Sequence, residues 1–105
     1  MLSPRVSIKL DVYRGGALLR SQTFVEPIIK IGNLSSSHVP LDDEQASRMH
    51  AMVEVGSEGD VYLLDLGSRA GTYLNGQKSD KSQLRDGDEI LIGETTIRVA
   101  LTLTS

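Results

Sequence analysis

The sequence contains no cysteine, only four aromatic residues and no long hydrophobic run. Without cysteine, neither a disulfide framework nor a thiolate metal site can form, and a reducing compartment such as the cytoplasm is the expected location. No stretch approaches the ~18 apolar residues of a membrane span, and the first residues lack the charged and apolar segments of a signal peptide. We therefore expect no direct membrane insertion.

An excess of basic residues is also missing. The formal net charge is −3 and the isoelectric point is near 5.2. Proteins that bind nucleic acid through its phosphates usually carry a strong positive charge. The chain is therefore not expected to bind nucleic acid, and any anion that it binds must be held by local groups.

What is present is a globular composition in a chain of single-domain length. The 105 residues are 39% hydrophobic and 24% charged, which is typical of a domain with one hydrophobic core. The ten glycines are spread among short runs rich in valine, isoleucine, leucine and threonine. Such a pattern favours short strands joined by tight turns over a helical bundle.

The spacing of apolar residues supports this strand interpretation. Val6, Ile8, Leu10 and Val12 alternate with polar residues, which predicts a strand with one buried face. Further strands are predicted at residues 18–25, 27–31, 39–41, 51–55, 61–66, 72–74, 89–92 and 95–103. Asn75-Gly76 is typical of a type I′ turn, and no segment has helical periodicity. The sequence therefore predicts an all-β antiparallel sandwich or barrel of about ten strands.

Three predicted loops carry groups that bind anions. They lie around residues 32–33, 47–50 and 68–71, and each follows a strand, so they can gather at one end of a sandwich. Their serine hydroxyl, guanidinium and backbone N–H groups are the donors that hold a phosphate or carboxylate. The alternative is an ordinary set of solvated loops.

Two other groupings suggest different chemistry. Ser47, His50 and Asp65 are the residue types of a hydrolase triad, but no Gly-x-Ser-x-Gly turn accompanies them, so we expect no catalytic residues. Residues 42–44 are acidic but lack the spacing of a calcium loop. We interpret them as solvated loop residues that oppose an anionic ligand, and His38 as a loop or partly buried residue. No metal or other cofactor is expected.

Four segments together resemble one known family. They are Ile31-Gly32, then Ser47-Arg48-Met49-His50-Ala51, then the run from Asp65 to Gly76, and finally Leu84 to Gly93. Their order and spacing over residues 26–100 are similar to those of the forkhead-associated (FHA) domain family. The resemblance implies an FHA/SMAD-like β-sandwich of about eleven short strands, whose loops at one end recognise phosphothreonine peptides.

The resemblance also implies roles for particular residues. Ser47 matches the serine that contacts the phosphate, and Arg48 adds charge at the rim. Asn33 stands where the family has a phosphate-binding arginine, which implies weakened affinity. Ala70 replaces the asparagine that holds the peptide main chain, whereas Arg69 can supply a compensating charge.

The remaining implied roles concern the loop backbone and the framework. The backbone of residues 68–71, beginning with Ser68, is expected to support the peptide. The structural residues of the motif are Gly32, His50, Gly71, Thr72, Asn75 and Gly76, where His50 braces a loop by hydrogen bonding.

The sequence thus predicts a non-catalytic interaction module. Its expected partner is a phosphothreonine-containing protein. The alternative is docking or oligomerisation that does not depend on phosphorylation, which Asn33 and Ala70 favour. We expect residues 1–105 to form one FHA-like domain, and a lone interaction domain is expected to belong to a longer protein.

Overall fold

The computed structural model describes residues 5–104, which form eleven strands and no helix. The strands are β1 (Arg5–Arg14), β2 (Ala17–Phe24), β3 (Ile28–Gly32), β4 (Val39–Pro40), β5 (Ala51–Val55), β6 (Val61–Asp65), β7 (Tyr73–Leu74), β8 (Gln77–Lys78), β9 (Lys81–Leu84), β10 (Glu89–Ile92) and β11 (Thr95–Thr104). They confirm the all-β prediction. Within this range, no helix is long and apolar enough to cross a membrane.

The strands form two sheets that pack as a sandwich. The six-stranded sheet has the order β2-β1-β11-β10-β7-β8, and the five-stranded sheet has the order β4-β3-β5-β6-β9. The pairs are antiparallel except for β3 and β4, which run parallel. Strands β8 and β9 were not predicted from the sequence. Both residues of β8 are exposed, and Leu84 is the only buried residue of β9.

The core lies between the two sheets and follows the predicted alternation. In β1, Val6, Ile8, Leu10 and Val12 are all buried, at 8% exposure or less. The other sheet contributes side chains of the same kind, among them Ile29, Ile31, Val53 and Leu63. Because each fully buried aliphatic side chain contributes roughly 1.5–3 kcal/mol, this core makes a rigid support for the loops at its ends.

The turn at Asn75-Gly76 has the predicted geometry. Both residues have positive φ, at 50° and 86°, as a type I′ turn requires. The Asn75 side chain donates to the Asp88 carboxylate at 2.9 Å and accepts from the Glu89 amide at 2.9 Å. Asn75 therefore joins the β7–β8 turn to the segment at the start of β10.

Candidate functional site

Three loops meet at one end of the sandwich, as the sequence predicted. They connect β3 to β4, β4 to β5 and β6 to β7. The backbone N–H of Asn33 donates to the Ser47 carbonyl at 2.9 Å, and that of His50 donates to the Ile31 carbonyl at 3.0 Å. The N–H of Arg69 donates to the Ser47 hydroxyl oxygen at 3.1 Å. Ser47 therefore lies at the centre of this apical surface.

Gly32 allows the first two loops to come together. A Cβ atom at this position would lie 2.0 Å from the carbonyl oxygen of Arg48 and 3.1 Å from the backbone nitrogen of His50. No side chain fits in that space without displacing the segment that carries Ser47. The role of Gly32 is close approach of two backbones, which only glycine permits.

His50 braces two of the loops from inside. Its side chain is fully buried, Nδ1 accepts from the Ser47 backbone N–H at 2.9 Å, and Nε2 lies 2.9 Å from the Gly71 carbonyl oxygen. Because Nδ1 is an acceptor, the proton belongs on Nε2, which donates to Gly71. In this position the ring joins the β4–β5 loop to the β6–β7 loop. Neither ring nitrogen binds the Ser47 hydroxyl, so the hydrolase triad considered from the sequence does not form.

Asp65 organises the loop between β6 and β7. Its carboxylate accepts from the backbone N–H groups of Gly67 and Ser68 at 3.1 and 3.0 Å, and from the Thr72 hydroxyl at 2.7 Å. The Ser68 hydroxyl donates to the same carboxylate and accepts from the Gly71 N–H. The hydroxyl and amide of Ser68 are therefore both engaged within the loop. Thr72 is buried, and its hydroxyl is engaged within this loop.

Asp43 differs from the sequence interpretation. The interpretation of the acidic residues 42–44 as solvated is wrong for Asp43, which is only 2% exposed. Its carboxylate accepts from the backbone N–H groups of Gln45 and Glu94, both at 2.9 Å, and from the Thr95 hydroxyl at 2.8 Å. These three donors replace the water that burial removes. Asp43 therefore joins the β4–β5 loop to the β10–β11 turn.

The pKa values of both aspartates follow from these contacts. Burial by itself raises the pKa of the Asp43 carboxyl, but the hydrogen bonds from Gln45, Glu94 and Thr95 outweigh it, so the pKa lies below 3.8. At Asp65, burial likewise raises the pKa, and the hydrogen bonds from Ser68 and Thr72 lower it below 3.8. Both groups are charged in the folded protein at neutral pH.

Unfolding in acid should therefore begin with these loops. Each folded-state pKa is below its unfolded value, so the stabilisation is present above about pH 4 and falls as the pH decreases through 3.8. We expect Asp65→Asn to lower the free energy of unfolding at pH 7 and to flatten its decline below pH 4. Urea unfolding between pH 7 and pH 3 measures both effects. The control is Asp60→Asn, at an exposed loop position; equal acid profiles for the two variants would contradict the assignment.

The outer surface of the apical loops carries donors that have no partner within residues 5–104. The Ser47 hydroxyl oxygen accepts from Arg69, so its hydrogen is free to donate outward. The guanidinium groups of Arg48 and Arg69 make no ion pair or hydrogen bond with the described residues. The N–H of Ala70 has no acceptor there either. Ser47, Arg48 and Arg69 line one open groove, together with Asn33, Glu44, Ala46 and Met49.

Asn33 is exposed in this groove but partly engaged. Its side-chain nitrogen donates to the Asp43 carbonyl at 3.0 Å, which leaves one of its two amide hydrogens for a ligand. It contributes no charge, and exposed Glu44 in the same groove carries a negative one. The positive charge of the groove thus comes from Arg48 and Arg69.

Together the fold and the groove define a class of protein: a β-sandwich module whose apical loops present hydrogen-bond donors and two guanidinium groups in one groove. Within residues 5–104, no group of three histidine, aspartate or glutamate side chains is placed to hold a metal. The sequence found the donors of the groove. The internal role of Asp43 was not predicted, because no sequence pattern distinguishes a buried loop aspartate from its exposed neighbours.

Comparison with known proteins identifies the family. The model of the FHA domain family matches residues 29–93, and the chain belongs to this family. It is 38% identical over 91 residues to an oxoglutarate dehydrogenase inhibitor of Corynebacterium efficiens, covering 87% of this chain and 63% of the relative. It is 36% identical over 91 residues to the glycogen accumulation regulator GarA of Mycolicibacterium smegmatis, covering 87% of this chain and 57% of the relative.

A solved structure supports the same assignment. It comes from work on phosphothreonine-dependent FHA domain interactions and superposes with a TM-score of 0.79 at 30% identity, covering 90% of this chain and 95% of that one. The chain spans less than two thirds of the length of the two curated relatives. The FHA family is a family of interaction modules, and the resemblance seen in the sequence is confirmed.

Proposed function

We propose that this domain binds phosphothreonine-containing proteins through its apical groove and catalyses no reaction. The observation that carries the proposal is that Ser47 lines one groove together with Arg48 and Arg69, whose guanidinium groups pair with no described residue. A phosphate is a dianion with several acceptor oxygens, and hydroxyl, guanidinium and backbone N–H donors are the groups that bind it. The relatives that carry the names of an inhibitor and a regulator are in keeping with a binding role.

Each predicted site residue has a place in this proposal. Ser47 donates to a phosphate oxygen, and the free N–H of Ala70 can donate beside it. Arg48 and Arg69, which both line the groove, supply positive charge. Asn33 contributes its remaining amide hydrogen, and the carbonyl of Ser68 accepts from the peptide backbone.

The proposal is tested by titrating isotope-labelled protein with a degenerate phosphothreonine peptide pool and with its unphosphorylated twin. We expect amide shifts at Asn33, residues 47–50 and residues 68–72 with the phosphorylated pool alone. We also expect binding to weaken as salt is added, because exposed charges are screened. Identical responses to both pools would overturn phosphate recognition.

Replacing Ser47 with alanine should weaken binding of a phosphorylated peptide by about ten- to a hundredfold, since a hydrogen bond to a charged group contributes roughly 1.5–3 kcal/mol. Isothermal titration calorimetry with one phosphorylated peptide measures the change. The matched control is Ser57→Ala, which removes an exposed hydroxyl from the β5–β6 turn. Unchanged affinity in the Ser47 variant would remove this residue from the site.

The second candidate function is docking or oligomerisation that is independent of phosphate. The departures at Asn33 and Ala70 favour it, because each lacks a ligand-binding side chain that the family pattern supplies. Under this alternative, a partner protein binds with equal affinity before and after phosphatase treatment. It also binds the Ser47→Ala variant with unchanged affinity.

A further inference from the structure

The two sheets have four edge strands, and one of these strands differs from the other three. The edges are β2, β8, β4 and β9. Strands β4 and β8 are two residues long and contain Pro40 and Lys78, and the four residues of β9 include Lys81. Short length, proline and lysine are features that keep a sheet edge from pairing with another chain. Strand β2 is eight residues long and contains neither proline nor lysine.

The outer side of β2 has a regular backbone that is open to pairing. The inner side pairs with β1, in one register from Val12 opposite Arg20 to Ile8 opposite Phe24. The register shifts only before this stretch, at Leu19, which is the extra residue of a bulge. In the part of the chain that the structure describes, no strand pairs with the outer side. Every second residue of the stretch therefore directs its N–H and carbonyl groups outward.

Exposed apolar side chains lie at both ends of this edge. Leu18 and Leu19, at the start of β2, are 54% and 59% exposed, and Val25, directly after its end, is 76% exposed. An antiparallel neighbour brings the start of one strand next to the end of the other. A strand with apolar residues at both ends is therefore complementary to an antiparallel copy of itself, as a dimer with twofold symmetry requires.

The spacing of these residues selects one register for such pairing. When Gln22 lies opposite Gln22 of the second copy, Leu19 lies opposite Val25 of that copy, and this apolar contact occurs twice. Ser21 then lies opposite Thr23 of the second copy, and such hydroxyl pairs form hydrogen bonds across strands. The single charged side chain of β2, an arginine, lies opposite a phenylalanine. Like charges therefore do not meet along the paired strands.

Gln22 provides an independent observation at the centre of this register. Its side-chain oxygen Oε1 is the one buried side-chain atom of the described residues that has no hydrogen-bond partner. Its nitrogen donates to the His38 carbonyl at 3.4 Å, which uses one of the two amide hydrogens. Residues directly opposite each other in antiparallel strands have Cβ atoms about 4.5–5.5 Å apart. The two Gln22 side chains therefore meet at the symmetry axis, where the second amide brings N–H donors to this acceptor.

We infer that β2 is a dimerisation edge: two copies of this chain pair antiparallel through β2, with Gln22 at the twofold axis, and join their six-stranded sheets into one. The inference goes beyond the proposed function and does not depend on phosphate binding. The β1–β2 turn lies at the apical end, where Arg14 donates to the Asp42 carbonyl. Because the paired strands run in opposite directions, the two apical grooves lie at opposite ends of the dimer. Such a dimer bridges two partner proteins.

Sedimentation equilibrium of the full chain over a wide range of concentration tests the inference. We expect the mass to rise with concentration from 11.4 kDa to twice that value. Val25→Lys and Leu19→Glu each place a charge in the paired edge, and each should weaken dimerisation by about tenfold or more. The double variant should dimerise again, because in this register each new glutamate lies opposite a new lysine of the second copy. Leu103→Lys, at an exposed leucine outside the edge strands, is the matched control.

A cysteine at the symmetry axis provides a second test that does not rely on charged variants. The chain contains no cysteine, so a disulfide formed by Gln22→Cys can only link two copies. We expect mild oxidation to convert this variant to a covalent dimer, because the two side chains lie opposite each other. Ser57→Cys, in the exposed β5–β6 turn, should stay monomeric under the same conditions.

The outcomes separate this inference from the proposed function. A chain that stays monomeric at every concentration overturns the dimer, and so does a dimer that Leu103→Lys weakens as much as Val25→Lys does. A double variant that stays monomeric, or equal oxidation of the two cysteine variants, overturns the pairing through β2. Binding of phosphothreonine peptides is measured separately, and its absence leaves the dimer in place.

Discussion

Replacing Asn33 with arginine is expected to raise the affinity for a phosphothreonine peptide by about ten- to a hundredfold, because a charge-assisted hydrogen bond contributes roughly 1.5–3 kcal/mol. Asn33 lies at the edge of the groove that contains Ser47, so a guanidinium at this position can reach the same anion. It would also offset the exposed negative charge of Glu44. Calorimetric titration of the variant with one phosphorylated peptide measures the gain.

The neutral variant Asn33→Gln is the matched control. It lengthens the side chain without adding charge, so we expect little change in affinity. Both variants replace the side chain that donates to the Asp43 carbonyl with a longer N–H donor, so the comparison between them isolates the effect of the charge. The unphosphorylated peptide should gain nothing in either variant. If Asn33→Arg binds the phosphorylated peptide no more tightly than Asn33→Gln does, the anion does not bind next to position 33.

The strands that could be predicted from the sequence are those whose burial alternates. Strand β1 shows every second side chain in the core, and its prediction over residues 6–13 is close to the observed Arg5–Arg14. The Asn75-Gly76 turn was predictable because positive φ at two successive positions selects few residue types. Strand β8 was not predictable, because both of its side chains are exposed and neither carries a packing signal.

The hydrogen-bond donors of the apical site could be predicted from the sequence, but the buried contacts that hold its loops together were less predictable. The family motifs indicated Gly32, Ser47 and His50 in the sequence. In the structure, the segments that carry them are in contact. The buried carboxylate of Asp43 was missed because burial of a loop residue depends on distant donors. Its partners Glu94 and Thr95 are more than fifty residues away along the chain, and local patterns do not report such contacts.

The framework around His50 is expected to be the most sensitive part of the apical end. Replacing His50 with leucine leaves the Ser47 N–H and the Gly71 carbonyl without their partner, beside a side chain that is fully buried. Each unsatisfied buried group costs about 1–3 kcal/mol. For the two groups together, we therefore expect the free energy of unfolding to fall by roughly 2–6 kcal/mol, a large fraction of the 5–15 kcal/mol that stabilises an ordinary domain.

Two conservative variants divide this loss between the two hydrogen bonds. An asparagine at position 50 places its amide oxygen close to the Nδ1 position, so His50→Asn should keep the contact with Ser47 and lose the one with Gly71. A glutamine reaches the Nε2 position and should keep the contact with Gly71 instead. Urea unfolding should therefore give His50→Leu a much lower free energy of unfolding than either His50→Asn or His50→Gln. If the free energy of unfolding of His50→Leu is within about 0.5 kcal/mol of the wild-type value, a shift typical of surface substitutions, then His50 does not hold the loops together.

His50→Leu should also weaken phosphopeptide binding, because Ser47 lies on the segment that His50 holds in place.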